Sequence, residues 1–539
     1  MKNGTLKVII PALKKNVAFQ DDLVKKLLGI TLIQRSINKA LNLGVEAKDI
    51  FLMTDSEEIR IIGDRNNVNT FWNADLSWEK YIYGERIWSY LQNITDKSDY
   101  IIFLSPYAPL IEVSSILQAL NDFIDSKENV LKPFHKVSSN FHAEGKKNSF
   151  DTLFADNQKS YKIESKSFIL LTGEFFINDF QSKVKILEWP IGFKVFEIKS
   201  QQDWWVCEKM LGRKRIIFRV IGNKNIGSGH IFRALSIAHE ITDHEILFVC
   251  DDQNDVAISI LKNCNYWLGV YELELIINGI IDLKPNLVIN DILSSNEGDI
   301  LPLKQLKIKT INFEDLGPGG KLSDLTINEL YDSPLYNSKN TLWGHHFFFV
   351  RDEFNGAKVH IFKNNVKKIM LSFGGTDQHN LSYKVYKIIK NICTQKGIEI
   401  HIVIGSGYRK YKDLEKSIKG NPDVFLTRGT GVISSIMEQC ELAIVSNGRT
   451  VYELAHMNIP SIVISQHQRE AEHTFASEDN GFLNLGIYSE FLTNNLIKKN
   501  LIKLIDDSNF RNQLFNNISK FNFYANKQKV INKIDNLLI

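Results

Sequence analysis

RVIGNKNIGSGHIFRALSIAHEI, residues 219–241, carries an apolar, β-branched run into Gly222, Gly227 and Gly229 and then into an amphipathic stretch that opens near His230. A strand that turns through glycines into a helix leaves backbone N–H groups and the positive end of the helix dipole free for an anion. His230 falls at the helix start, where a side chain can face the crevice beyond the strand ends. The same three glycines also fit a tight strand–helix turn with a surface histidine, and spacing alone leaves both readings open.

Two later stretches repeat the device. In LSFGGTDQHN, residues 371–380, the adjacent glycines Gly374 and Gly375 permit close backbone approach by a phosphate, and Thr376 adds a hydroxyl donor. Asp377 reads as a helix cap ahead of a catalytic acid. In AIVSNGRTVYELAHMNIPSIVISQHQREAEHTFA, residues 443–476, a buried strand ends at Ser446-Asn447-Gly448 and a helix follows from about Thr450. Glu453, one turn in, suits a ribose diol because a carboxylate accepts from both hydroxyls, although a first-turn Glu also simply favours the helix dipole. Gln466, His467 and Gln468 follow the next strand and read either as the far wall of a nucleotide pocket or as a polar surface loop.

Outward from these stretches, short β-branched runs alternate with helical ones along nearly the whole chain, the pattern of parallel sheets covered by helices. Strands are expected at Leu6–Ile10, Ile50–Met53, Tyr100–Leu104, Ser167–Leu171 and Lys194–Ile198, with helices at Leu32–Leu43, Ser114–Ile124 and Gln202–Leu211. The rhythm restarts at Ile216–Val220 and again at Val366–Phe373. The expected domains are 1–212, 213–360 and 361–539. The 539 residues include 65 Lys+Arg and 62 Asp+Glu, a net +3, with 44% hydrophobic and 24% charged residues. That is globular composition without a basic stripe, so nucleic-acid binding is not expected. Cys207, Cys250, Cys264, Cys393 and Cys440 form no C-x-x-C pair, which suggests neither a zinc site nor a disulfide framework and fits a reducing cytoplasm. No apolar run is long enough to span a bilayer.

Gly227-Ser228-Gly229-His230 with Arg233, then Gly374-Gly375-Thr376-Asp377 with Asn380, then the Ser446-to-Gln468 segment, together resemble the UDP-sugar hydrolases of the pseudaminic acid pathway and the related SpsG-like spore coat polysaccharide proteins. Gly344 and Arg351-Asp352-Glu353-Phe354 extend the match. The resemblance implies a glycosyltransferase B fold of two Rossmann-like domains, with a nucleotide sugar between them and the nucleotide on the C-terminal one. It makes His230 the base for a water that displaces UDP at the anomeric carbon, with no metal or other cofactor required. Where those hydrolases carry Asp-His-Tyr, this chain has Asp291-Ile292-Leu293, with more carboxylates at Glu314 and Asp315. The sugar-facing half has therefore changed, and an alcohol in place of water makes the scaffold a glycosyltransferase.

Residues 8–59 resemble the cytidylyltransferases that make CMP-activated nonulosonic acids, through Ile10-Pro11-Ala12, Leu27-Leu28-Gly29, Leu32-Ile33 and Thr54-Asp55-Ser56-Glu57-Glu58-Ile59, echoed later by Phe103-Leu104-Ser105-Pro106. The loop that grips the nucleotide in that family reads here Leu13-Lys14-Lys15-Asn16-Val17, then Gln20-Asp21-Asp22, without its arginine and glycines. Asp21 and Asp22 repel a triphosphate. Glu197-Ile198-Lys199 places an ammonium where a carboxylate holds Mg²⁺ in the family, so Mg²⁺ enters only if this domain is active. Lys14 or Lys15 can replace a lost basic group. Trp204, Trp205 and the group Trp72, Trp78, Tyr81 and Tyr83 read as core ahead of pocket walls.

The sequence thus predicts an α/β, cytoplasmic nucleotide-sugar enzyme: a degenerate nucleotidyltransferase-like domain followed by a glycosyltransferase B module. The expected reaction is hydrolysis of a UDP-amino sugar in nonulosonic acid or surface-glycan biosynthesis. His230 and Asp291 are the catalytic candidates. Gly227, Gly229, Arg233, Gly374, Gly375, Thr376, Asn447, Gly448, Thr450, Glu453 and Gln468 are the binding candidates. A glycosyltransferase using a UDP- or CMP-sugar on a glycan or protein acceptor, and a non-catalytic nucleotide-sugar scaffold, are the alternatives. Assembly into homo-oligomers is left open.

Overall fold

The computed structural model describes residues 4–14, 21–73, 90–139, 159–178, 183–192, 195–405 and 407–538. The chain forms two compact units, Met1–Arg213 and Lys214–Ile539. Both are α/β, as the alternation of strand and helix patterns predicts.

The first unit is built on an eight-stranded sheet. Its parallel part, Leu6–Pro11 flanked by Ile50–Thr54 and Tyr100–Leu104, with Asn69–Trp72 outside, comes from LKVIIP, IFLMT and YIIFL. These runs are buried almost without alternation because helices such as Leu32–Asn42 and Val113–Asp125 cover the faces. Phe168–Thr172 then pairs antiparallel to Tyr100–Leu104, and Val130–Ser139, Lys159–Glu164 and Ile186–Pro190 complete the sheet. No strand forms at the expected Lys194–Ile198: residue 194 lies outside the described residues, and 195–198 run irregularly with Val195 and Ile198 turned into the core.

Several expectations for this unit fall on its surface or outside its description. Lys15, Asn16, Val17, Gln20, Trp78, Tyr81 and Tyr83 lie outside the described residues. Lys14 does not stand free for a phosphate: its ammonium is 2.8 Å from Glu58 and 3.1 Å from Asp21. Those contacts, the Glu58 hydrogen bond above all, raise its pKa. Trp204 is core, packed with Leu27, Leu32 and Cys207, while Trp72 and Trp205 are exposed. The Mg²⁺ of the cytidylyltransferases finds no fit at Glu197, whose carboxylate faces the Lys199 ammonium at 3.9 Å.

The second unit holds two parallel sheets. One runs Trp267–Tyr271, Glu245–Asp251, Arg215–Val220, Leu287–Asp291, Lys309–Phe313, Leu325–Asn328, Thr341–Trp343. The other runs Val424–Arg428, Glu399–Ile404, Lys368–Ser372, Leu442–Ser446, Ser461–Ser465, Phe482–Ile487. Numbered within each sheet, both begin in the order 3-2-1-4-5-6, the doubly wound order in which the chain reverses between strands one and four. LVIND, LAIVS and SIVIS are buried at every position. Neither face of these central strands meets water, so their hydrophobic runs are continuous. The last helix, Asn526–Leu538, returns to the first sheet, where Val530, Ile531 and Ile534 join the core of Phe218, Phe248, Ile311 and Phe313. Among the described residues no helix is long and apolar enough to cross a membrane.

Candidate functional site

At each strand-order reversal the loops after strands one and four part, leaving a crevice at the carboxyl ends. In the first sheet these loops follow Val220 and Asp291, and in the second Ser372 and Ser446. Together they border one cavity of about 800 Å³.

The first loop turns through Gly227, whose φ of +88° lies in the left-handed region, and releases the helix Gly229–Ala238. His230 and Arg233, three residues apart on that helix, share a face. Both meet Asp291 at the end of strand four. His230 Nδ1 is 2.5 Å from Asp291 Oδ1, while Arg233 donates from Nε to Oδ2 at 2.7 Å and from Nη2 to Oδ1 at 2.5 Å. A carboxylate held this way can only accept, which assigns the imidazole proton to Nδ1 and leaves the Nε2 lone pair as the basic atom. His230 lines the cavity.

Beneath the imidazole lies a buried charge cluster. Arg233 Nη1 is 2.8 Å from Glu314 and 3.0 Å from Glu329, and Glu329 is also paired with Arg449. Burial opposes ionisation of both Arg233 and Asp291. The three carboxylates nonetheless hold Arg233 above its ordinary pKa, and Arg233 and His230 hold Asp291 well below the usual carboxylate range. Burial dominates at Glu329 and raises its pKa.

The second sheet supplies the other glycine loops of the cavity. Gly374 has φ +77°, and a Cβ on Gly375 would stand 3.2 Å from the Gly227 Cα, so the two glycine loops touch backbone to backbone. A Cβ on Gly405 would lie 2.1 Å from the Gly375 oxygen, so the neighbouring strand must also end in glycine. Asp377 caps the helix Leu381–Lys396 by accepting from the Leu381 and Ser382 amides at 2.7 and 2.8 Å. Beyond Ser446, the helix Arg449–His456 begins at Gly448 with its first turn on the cavity. Glu453 also lines it, its carboxylate 3.4 Å from Arg351 Nε.

The structure therefore brings Gly227, Gly229 and His230 together with Gly374, Gly375 and Thr376 and with Gly448, Thr450 and Glu453 around one space. Asp291 and Arg233 sit behind that wall and act on it through His230. Asn447 does not line the cavity. Its amide turns inward to donate to the carbonyls of Glu470 at 2.8 Å and His473 at 3.0 Å, fastening two loops. Gln468 is also outside the lining: it starts the short helix Gln468–Ala471 and faces solvent. Two arginines that the motifs did not single out line the cavity instead. Arg449 opens the second-sheet helix, and Arg469 reaches across to the Glu314 carbonyl at 2.6 Å and the Tyr331 hydroxyl at 3.1 Å.

Glu470, on the same wall, has its carboxyl pushed up to about 7 by burial, against the opposing hydrogen bond from the Gln466 amide. A carboxyl raised in the folded state binds a proton that the unfolded chain releases at about 4.5, so stability falls as pH rises from about 4.5 to 7. Glu470→Gln keeps an acceptor for Gln466 and removes that penalty. It should match the parent near pH 4.5 and exceed it at pH 8 by about 2–3 kcal/mol, read from denaturant midpoints across pH.

No protein-family model matches the chain. It is 25% identical over 281 residues to the spore coat polysaccharide biosynthesis protein SpsG of Bacillus subtilis, covering 49% of this chain and 82% of that one. It is 26% identical over 270 residues to an uncharacterized protein of Methanocaldococcus jannaschii, covering 47% of this chain and 55% of the relative, so only about half of that relative's length is matched. Among solved structures it is similar to Acinetobacter baumannii MurG, with 11% identity and a TM-score of 0.45 over 60% of this chain and 99% of MurG. It is also similar to a CMP:2-keto-3-deoxy-manno-octonic acid synthetase complexed with CTP, with 10% identity and a TM-score of 0.29 over 39% of this chain and 98% of the synthetase.

Proposed function

We propose that the Lys214–Ile539 unit is a nucleotide-sugar-processing enzyme of surface-glycan biosynthesis, and that it hydrolyses a UDP-activated amino sugar at the anomeric carbon. The observation that carries this reading is His230. Its Nδ1 proton is committed to Asp291, and its ring borders a cavity whose opposite side is made of glycine loops and a helix N-terminus. The relatedness to a spore coat polysaccharide biosynthesis protein supports the biosynthetic setting.

In the step proposed, Nε2 takes a proton from water as the water oxygen bonds to the anomeric carbon. The bond from that carbon to the diphosphate oxygen breaks, and UDP leaves with the electron pair. Asp291 stabilises the imidazolium so formed. The amides around Gly374, Gly375 and Gly448 and the first turn of Arg449–His456 stabilise the departing diphosphate. Glu453 takes the ribose hydroxyls. The pairing of Lys14 with Glu58 and Asp21 supports a first unit that no longer transfers CMP.

One observation favours a second reading. Leu293, two residues past Asp291, lines the cavity with an apolar side chain where the resembled hydrolases carry a tyrosine. An alcohol in place of water in the same step makes the protein a glycosyltransferase. A phosphorus NMR and mass-spectrometry time course with UDP- and CMP-linked amino sugars, with and without acceptor, tests both. Free UDP and a reducing sugar without acceptor are expected; release only when an acceptor is added would replace hydrolysis by transfer.

A further inference from the structure

Glu329 is completely buried just beyond the strand Leu325–Asn328, and its Oε2 has no hydrogen-bond partner among the described residues. Its Oε1 takes Arg233 Nη1 at 3.0 Å and also pairs with Arg449 Nη1. Arg449 belongs to the other sheet's crevice: it opens the helix Arg449–His456, lines the cavity and lies 4.6 Å above the Phe348 ring. Arg233 grips both oxygens of Asp291, and Asp291 grips His230. A chain of charged contacts therefore runs from the helix N-terminus on one side of the cavity to the imidazole on the other. Charge balance does not call for Glu329, since Asp291 and Glu314 already oppose Arg233 and Arg449. A buried carboxylate beyond that need costs several kcal/mol in desolvation.

We propose that Glu329 is a positioning residue that ties the orientation of His230 to occupancy of the helix N-terminus by a diphosphate. An anion seated beside Arg449 competes with Glu329 for that guanidinium. As Arg449 turns to the anion, Glu329 is left to Arg233 alone, and the grip of Arg233 on Asp291 and of Asp291 on the Nδ1 proton is reset. This linkage presupposes the nucleotide reading of the cavity.

The test uses the full chain labelled with ¹⁵N-histidine, its His230 signals assigned by loss in His230→Gln, with UDP as the probe and calorimetry beside it. In the parent, UDP should shift the His230 ring nitrogens. In Glu329→Gln, UDP should still bind within about threefold of the parent while the His230 response is lost, and kcat for UDP release should fall about tenfold with KM nearly unchanged. Glu329→Asp should restore part of the response. If Glu329→Gln does not fold, Glu329→Asp carries the test: UDP should bind as in the parent with a His230 response smaller than the parent's, and a full parental response would overturn the linkage. A parental His230 response and kcat in Glu329→Gln would overturn the linkage and leave the nucleotide site intact. Absence of UDP binding in the parent would overturn the nucleotide site and the linkage with it.

Discussion

His230→Ala is expected to slow UDP release by about 10²–10⁴-fold, the range a positioned general base contributes, with thermal unfolding nearly unchanged. The side chain sits on the first turn of Gly229–Ala238, where alanine is a better helix former. Its loss also leaves Asp291 fully held by Arg233, so no buried carboxylate is stranded. The chemistry, by contrast, loses the Nε2 lone pair that takes the proton from water. Phosphorus NMR measures the rate and circular dichroism the melting. Full activity in the variant would remove His230 from the mechanism, and a collapsed melting curve would make the loss one of folding.

Arg233→Met is expected to act on stability instead. Methionine fills a similar volume, but it leaves Glu314 and Glu329 to Arg449 and Asp291 to His230, with their central buried cation gone. Breaking a buried ion cluster by removing one partner costs about 3–5 kcal/mol, which should appear as a lowered denaturation midpoint for the Lys214–Ile539 unit. Carboxylates without their cation hold protons more tightly, so the deficit should widen from pH 5 to pH 8. An equal midpoint at both pH values would mean that the carboxylates are neutral in the parent protein.

Much of the Lys214–Ile539 unit was legible because its signals are local. RIIFRV, LAIVS and SIVIS form strands where the alternation of strand and helix patterns predicts, and glycines mark the turns after the first two. The pairings of Glu329 were not legible, because 96 and 120 residues separate it from Arg233 and Arg449 and no periodicity connects such distances. Asn447 and Gln468 were drawn to the cavity by position alone. Spacing locates a loop residue but does not say which way its side chain turns. In the first unit, KSYKIE and ILEWP escaped notice because exposed strands mix charge with apolar residues and lack the continuous run of a central parallel strand.

The return of Asn526–Leu538 to the first sheet bears on how the protein is made. Val530, Ile531 and Ile534 complete the core beside Phe218 and Ile311, and the Asn526 amide caps the carbonyls of His345 and Phe348 at 3.2 and 2.9 Å. A nascent chain emerges at roughly 5–20 residues per second, so the sheet begun at Arg215 waits, with part of its apolar face uncovered, until Asn526–Leu538 has been made. The described cores of the Met1–Arg213 unit are drawn from its own residues, so that unit can fold while the rest is still being synthesised.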